Sequence, residues 1–94
     1  MDKDFFSSFD QRKGEFAGRV GLDTSEVRAE ILLGTGQVYV LDAVVDARDG
    51  WIQIDVRDVE DDELVRSIVT PYYQIQHVRF VKQRPRVGRA GFGL

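Results

Sequence analysis

The sequence predicts a mainly β protein, a small five-stranded barrel preceded by an N-terminal α-helix, in one domain over residues 1–81. Three observations carry that expectation. Between residues 27 and 81, five strand-like runs are rich in β-branched and aromatic residues, several alternating apolar with polar, a period that places successive side chains on opposite faces of a sheet. Turn residues separate the runs, with Gly34-Thr35-Gly36 and Arg48-Asp49-Gly50 the clearest. The last two runs are bridged by Val69-Thr70-Pro71-Tyr72-Tyr73-Gln74-Ile75, a short Pro-Tyr turn before a final strand. A meander ending this way closes readily into a compact cylinder, an object suited to binding or assembly.

The first element is a helix over about residues 3–13. Phe5, Phe9, Arg12 and Phe16 recur at helical spacing beside Phe6, which gathers the aromatics on one face. Asp2 and Asp4 favour the helix dipole in the first turn, and Gly14 and Gly18 are expected to stop the helix. Its Phe face is expected to lie on the barrel or across a subunit boundary.

Residues 23–33 carry two signals in conflict. Asp23-Thr24-Ser25-Glu26 reads as a helix capping box, with Leu22 and Val27 as its staple. Val27, Ala29, Ile31 and Leu33, however, alternate with Arg28, Glu30 and Leu32, and on a helix those apolar positions would scatter. The strand reading is the one adopted here. A hairpin at residues 34–36 leads into a second strand over about residues 37–46, ending at Asp46. Gly50 is expected to take a positive φ in the turn that follows. Trp51–Arg57 reads as a third strand, with Ile52, Ile54 and Val56 inward and Gln53, Asp55 and Arg57 toward water. Five acids in the six positions from Asp58 to Glu63 mark an exposed loop. Leu64–Val69 forms the fourth strand, and Pro71 is expected to block ladder pairing. Tyr72-Tyr73-Gln74 fit one 3₁₀ turn, and Ile75–Val81 completes the set with Val78 and Phe80 on the core side.

Composition limits the functions available. The chain has 94 residues, no cysteine and a single histidine. Disulfides, thiolate metal sites and a cysteine nucleophile are excluded, and a conventional zinc site lacks ligands. No apolar run approaches the roughly 20 residues of a membrane helix, so a soluble, cytoplasmic protein without a membrane role is expected. The net charge of −3 is unevenly spread: residues 1–81 carry −7, and the final thirteen carry +4 on Lys82, Arg84, Arg86 and Arg89. That basic, Gly-containing tail over residues 82–94 is expected to be flexible and can contact phosphates, stay solvated, or dock on a neighbour's acidic face.

The remaining candidates for chemistry are few. His77 alternates with Ile75 and Arg79, beside a cation and away from any ligand cluster, which suits a structural or interfacial role. The acidic run 58–63 lacks the ligand spacing of an EF-hand, and Gly34-Thr35-Gly36 precedes a strand, unlike a phosphate-binding loop. No nucleophile, base and metal set can be assembled, so no catalytic residue, metal or cofactor is expected. Trp51 shares the phase of the solvent-facing Gln53 and Asp55. It can stack on a base, fill a partner's pocket or lie under the N-terminal helix. Tyr72 and Tyr73 cannot both point inward from one turn.

In its order of elements the chain resembles the Sm and Sm-like (LSm) RNA-binding proteins, whose small barrel is SH3-like. The resemblance covers about residues 3–81. It rests on the Gly34-Thr35-Gly36 hairpin, on Asp46 ahead of a turn at Gly50, and on the apolar-turn-apolar pattern around Pro71. It implies a ring of identical subunits in which fourth and fifth strands pair across boundaries, placing Ile68, Tyr72, Tyr73, Ile75 and His77 at the interface. It also implies RNA or single-stranded DNA at the pore, held by the loop after the second strand and the turn between the last two. Asp46 matches the family's acidic loop residue, and Arg48 falls where many members carry a base-stacking aromatic. Gly50 replaces an Asn that orders the loop. Thr70-Pro71 stands where the family has Arg-Gly, so its phosphate-contacting Arg has no counterpart. A planar guanidinium at Arg48 can stack on a base in its place. The nucleic-acid-binding residues expected are Asp46 and Arg48 from the resemblance and Trp51 from its solvent-facing phase, to which the tail adds Lys82, Arg84, Arg86 and Arg89. The alternative is a protein–protein assembly or adaptor domain with no nucleic-acid role.

Overall fold

The computed structural model describes residues 2–61 and 63–83. In chain order these form α1 (Lys3–Ser7), α2 (Phe9–Val20), a 3₁₀ turn (Thr24–Glu26), β1 (Val27–Leu33), β2 (Val38–Ala47), β3 (Trp51–Asp58), β4 (Val65–Pro71), a second 3₁₀ turn (Tyr72–Gln74) and β5 (Ile75–Lys82). The strands make one antiparallel sheet in the order β4-β3-β2-β1-β5. No described helix is long and apolar enough to cross a membrane.

Alternation dictates the core. Ala29 and Ile31 of β1 and Ile52, Ile54 and Val56 of β3 are fully buried, joined by Leu33, Tyr39, Leu41, Tyr72 and Ile75. Complete burial of an aliphatic side chain is worth about 1.5–3 kcal/mol, so the inward rows of β1 and β3 anchor the sheet. Val78 and Phe80 pack against the same cluster from β5. A register shift opposite Leu32 and Leu33 lets Ile75 turn inward while His77 and Arg79 stay exposed, as a bulge in a strand pair permits.

The N-terminal helix is longer than residues 3–13 and is broken once. Asp2 caps α1, its carboxylate accepting from the Phe5 N–H at 3.1 Å. At Ser8 the hydroxyl donates back to the carbonyls of Asp4 and Phe5, a contact that bends helices. From Phe9 the chain continues through Gly14 and Gly18, contrary to the expected stop, and ends at Gly21 with φ of 77°. Two interior glycines cost roughly 1 kcal/mol each. The helix survives because Phe9 and Phe16 pack on Phe80 of β5, the first tilted and the second stacked, with ring centroids 5.8 and 5.9 Å apart. Phe6 stacks on Tyr72 at 5.9 Å. The aromatic face therefore lies on the chain's own sheet.

Both signals in residues 23–33 are realised, in succession. The capping box is formed, with the Asp23 N–H donating to the Glu26 carboxylate at 2.9 Å, but it caps a single 3₁₀ turn before β1 begins at Val27. Three further expectations need correction. Gly50 does not take a positive φ; among the described glycines only Gly21 and Gly36 do. Pro71 does not stop the ladder one residue early, since it ends β4 opposite Trp51, tolerated because β4 is an edge strand. Lys82 belongs to β5, paired with Val27, and the Gln83 N–H donates to the Glu26 carbonyl, so the basic segment leaves the sheet later than expected.

The sheet is not closed: β4 and β5 are its two edges, and no ladder joins them among the described residues. It is nonetheless strongly curled. Four strand spacings would separate the edges of a flat sheet by about 19 Å, whereas the link from Pro71 to Ile75 reaches at most about 14 Å. The Gly34 N–H, at the β1–β2 hairpin, donates to the Gln74 carbonyl of that link at 2.7 Å.

Candidate nucleic-acid interface at the β2–β3 turn

The turn from Asp46 to Trp51 is held from three sides. Its own backbone closes it, with the Arg48 N–H donating to the Trp51 carbonyl at 2.9 Å. From the β4–β5 link, the Tyr72 hydroxyl donates to the Arg48 carbonyl at 2.6 Å. From α1, the Lys3 ammonium lies 3.3 Å from the Asp49 carboxylate. The turn after the second strand and the turn between the last two strands thus meet at one end of the sheet.

On this scaffold the Arg48 guanidinium lies 6.0 Å from the Trp51 ring centroid, and its Nε donates to both Asp46 carboxylate oxygens at 3.0 Å. Trp51 is 40% exposed, and the Arg48 side chain is open to solvent. A planar cation beside an exposed indole offers a surface on which a flat, electron-rich ring can stack. Its surroundings are acidic. Burial pushes the Tyr72 hydroxyl above the ordinary tyrosine range, and the nearby charges of Asp2, Asp49 and Asp46 push it further.

Thr70 and Pro71 lie opposite Ile52 and Trp51 across the β3–β4 ladder, so the chain places no cation at the position of the resembled family's Arg-Gly. Lys82 lies at the far end of β5, paired with Val27. Arg84, Arg86 and Arg89 lie outside the described residues. Of the expected interface residues, Tyr72 and Ile75 are buried in their own chain's core, Ile68 is half-buried against it, and Tyr73 and His77 are exposed. Tyr73 is 83% exposed, and Val65 and Val69 of β4 are both more than 60% exposed.

Sequence reasoning placed Asp49 in the turn but missed its pairing with Lys3, and it missed Val65 and Val69 on the edge strand. Lys3 meets Asp49 across 46 positions, and no local pattern foretells such a pair. Val65 and Val69 had a signal, since Ile68 fixes the inward phase of β4 and its neighbours must face out. Among the described residues, no group of three or more His, Cys, Asp or Glu side chains is arranged to hold a metal ion. The acids at 58–61 instead order their own loop, the Asp58 carboxylate accepting from the N–H groups of Glu60 and Asp61 at 2.8 and 3.2 Å. Comparison of the chain with protein-family models, with curated proteins and with solved structures gives no match.

Proposed function

We propose that the chain is a non-enzymatic module of Sm-like barrel architecture that assembles with copies of itself and binds RNA or single-stranded DNA at its β2–β3 turn. The observation that carries this reading is the 2.6 Å bond from the Tyr72 hydroxyl to the Arg48 carbonyl. It ties together the two turns that grip RNA in the resembled family, beside an exposed guanidinium–indole pair. Self-assembly is supported by β4, an edge strand with exposed Val65 and Val69 whose free backbone groups can pair with a neighbour's strand.

A second reading, a protein assembly or adaptor domain without nucleic acid, is favoured by the acidic surroundings of Arg48 and its pairing with Asp46. Titration with oligo(U), oligo(A) and single-stranded DNA at two salt concentrations separates the two. The first reading expects affinity that falls with salt and falls about tenfold in Trp51→Ala, since one base–aromatic stack is worth about 1–3 kcal/mol. Absence of binding at low salt rejects it and leaves the second.

A further inference from the structure

The β2–β3 turn contains the chain's one Asp-Gly pair, Asp49-Gly50, in a sequence without asparagine. The fold leaves the two residues free to react with each other. The Asp49 side chain is 95% exposed, and the Lys3 ammonium at 3.3 Å, itself half-exposed, is its one hydrogen-bond or ion-pair partner among the described residues. Gly50 lies outside the ladders of β2–β3 and β3–β4, and its N–H makes no hydrogen bond among the described residues. A glycine presents that amide with no side chain to shield it. The space where a Cβ would stand holds no atom within 4 Å.

No other aspartate combines these features. Each of the rest is followed by a residue that carries a side chain. Asp42 and Asp46 are in addition paired with Arg57 and Arg48, and the Asp58 carboxylate accepts from the N–H groups of Glu60 and Asp61.

We propose that Asp49 is a site of spontaneous backbone modification, at which the Gly50 amide converts the aspartate to isoaspartate. The Gly50 nitrogen attacks Cγ of the protonated carboxyl group. The N–Cγ bond forms, the Cγ–OH bond breaks, and the hydroxyl leaves with the amide proton as water. The product is a cyclic succinimide, which water then opens at either carbonyl. Breaking the N–Cγ bond restores aspartate; breaking the bond from nitrogen to the former main-chain carbonyl carbon gives isoaspartate. The main chain then runs through Cβ and Cγ, and the former carbonyl becomes the free carboxylate. Water is the only co-reactant, and mass and charge are unchanged overall.

The added backbone atom falls inside the loop that the Arg48 N–H closes onto the Trp51 carbonyl. Rearrangement therefore loosens the turn that holds the Arg48 guanidinium beside the Trp51 ring. Lys3 acts against the reaction by tethering the carboxylate. The proposal is independent of what the turn binds.

The test is to incubate the full chain at neutral pH and physiological temperature, then separate the peptides containing residues 49 and 50 and weigh them. A species lighter by one water is expected, followed by a second peptide of the parent mass, both confined to Asp49. With no asparagine in the chain, deamidation adds no background. Asp49→Glu keeps the charge but would need a larger ring, and is expected to abolish both products. Gly50→Ala is expected to slow their formation several-fold with the fold intact, because Gly50 has no positive φ and open space at its Cβ position. Lys3→Ala is expected to speed it about two- to fivefold, the worth of an exposed ion pair. An Asp49 that converts in urea but stays intact in the folded chain overturns the proposal, by showing that the braced turn forbids the reaction. Conversion centred on another aspartate, or unchanged in Gly50→Ala, overturns it as well.

Discussion

Glu30 lies on the outward row of β1 yet is 5% exposed, because Arg28 of its own strand and Arg79 of β5 fold over it. Burial raises its carboxyl pKa, but the hydrogen bonds and charges of Arg79 and Arg28 outweigh burial and hold it below the ordinary value. A lowered folded-state value stabilises the fold above the unfolded pKa, and that stabilisation is lost as pH falls through the folded value. Glu30→Gln is therefore expected to cost about 2 kcal/mol at neutral pH, the figure kept modest because Arg79 is largely exposed. In denaturant titrations the gap between variant and parent is expected to close in acid, below the ordinary carboxylate range. Tyr72 has the opposite sign. Its raised value makes its contribution complete below the ordinary tyrosine range and loses it as pH rises through the folded value. Tyr72→Phe removes the bond to the Arg48 carbonyl and is expected to cost about 1 kcal/mol. Hydrogen exchange is expected to quicken at residues 48–51 in that variant.

Among the elements, glycine acts with opposite effect in a helix and in a hairpin. Gly18 lies inside α2, and a methyl group there would meet nothing within 4 Å. Gly18→Ala is expected to stabilise the protein by about 0.5–1 kcal/mol. Gly36, with φ of 91° in the β1–β2 hairpin, is in the left-handed half of backbone space, and Gly36→Ala is expected to destabilise by about 1–2 kcal/mol. Thermal melts of the two variants should move in opposite directions. The strands were legible in the sequence because burial on one face leaves a period-two trace, as Ile52, Ile54 and Val56 show. Where helix α2 stops was not, because its extension depends on Phe80, more than sixty residues away, and propensity cannot see that partner. The inward turn of Ile75 was equally hidden, since a register shift breaks the alternation from which phase is inferred. At the candidate site the sequence pointed to Asp46, Arg48 and Trp51, which do sit on one turn. It could not supply Lys3 and Tyr72, which reach that turn from other elements.

At the scale of the whole molecule, the curl of the sheet leaves β4 and β5 as edges linked through three residues. If copies associate through β4, a charge on its exposed side should oppose them. Val69→Lys is expected to leave the fold intact, since Val69 is 63% exposed, and to lower the solution mass toward that of one chain by light scattering. The asymmetry of the molecule also has a practical side. The Asp2 cap and the contact between Lys3 and Asp49 bring the start of α1 against the β2–β3 turn, whereas β5 runs about 24 Å from its first residue, Ile75, to its last, Lys82. An affinity tag or fluorophore joined ahead of Asp2 would crowd the β2–β3 turn and interfere with a test of binding there. Immobilisation for such a test therefore belongs at the other end of the sheet.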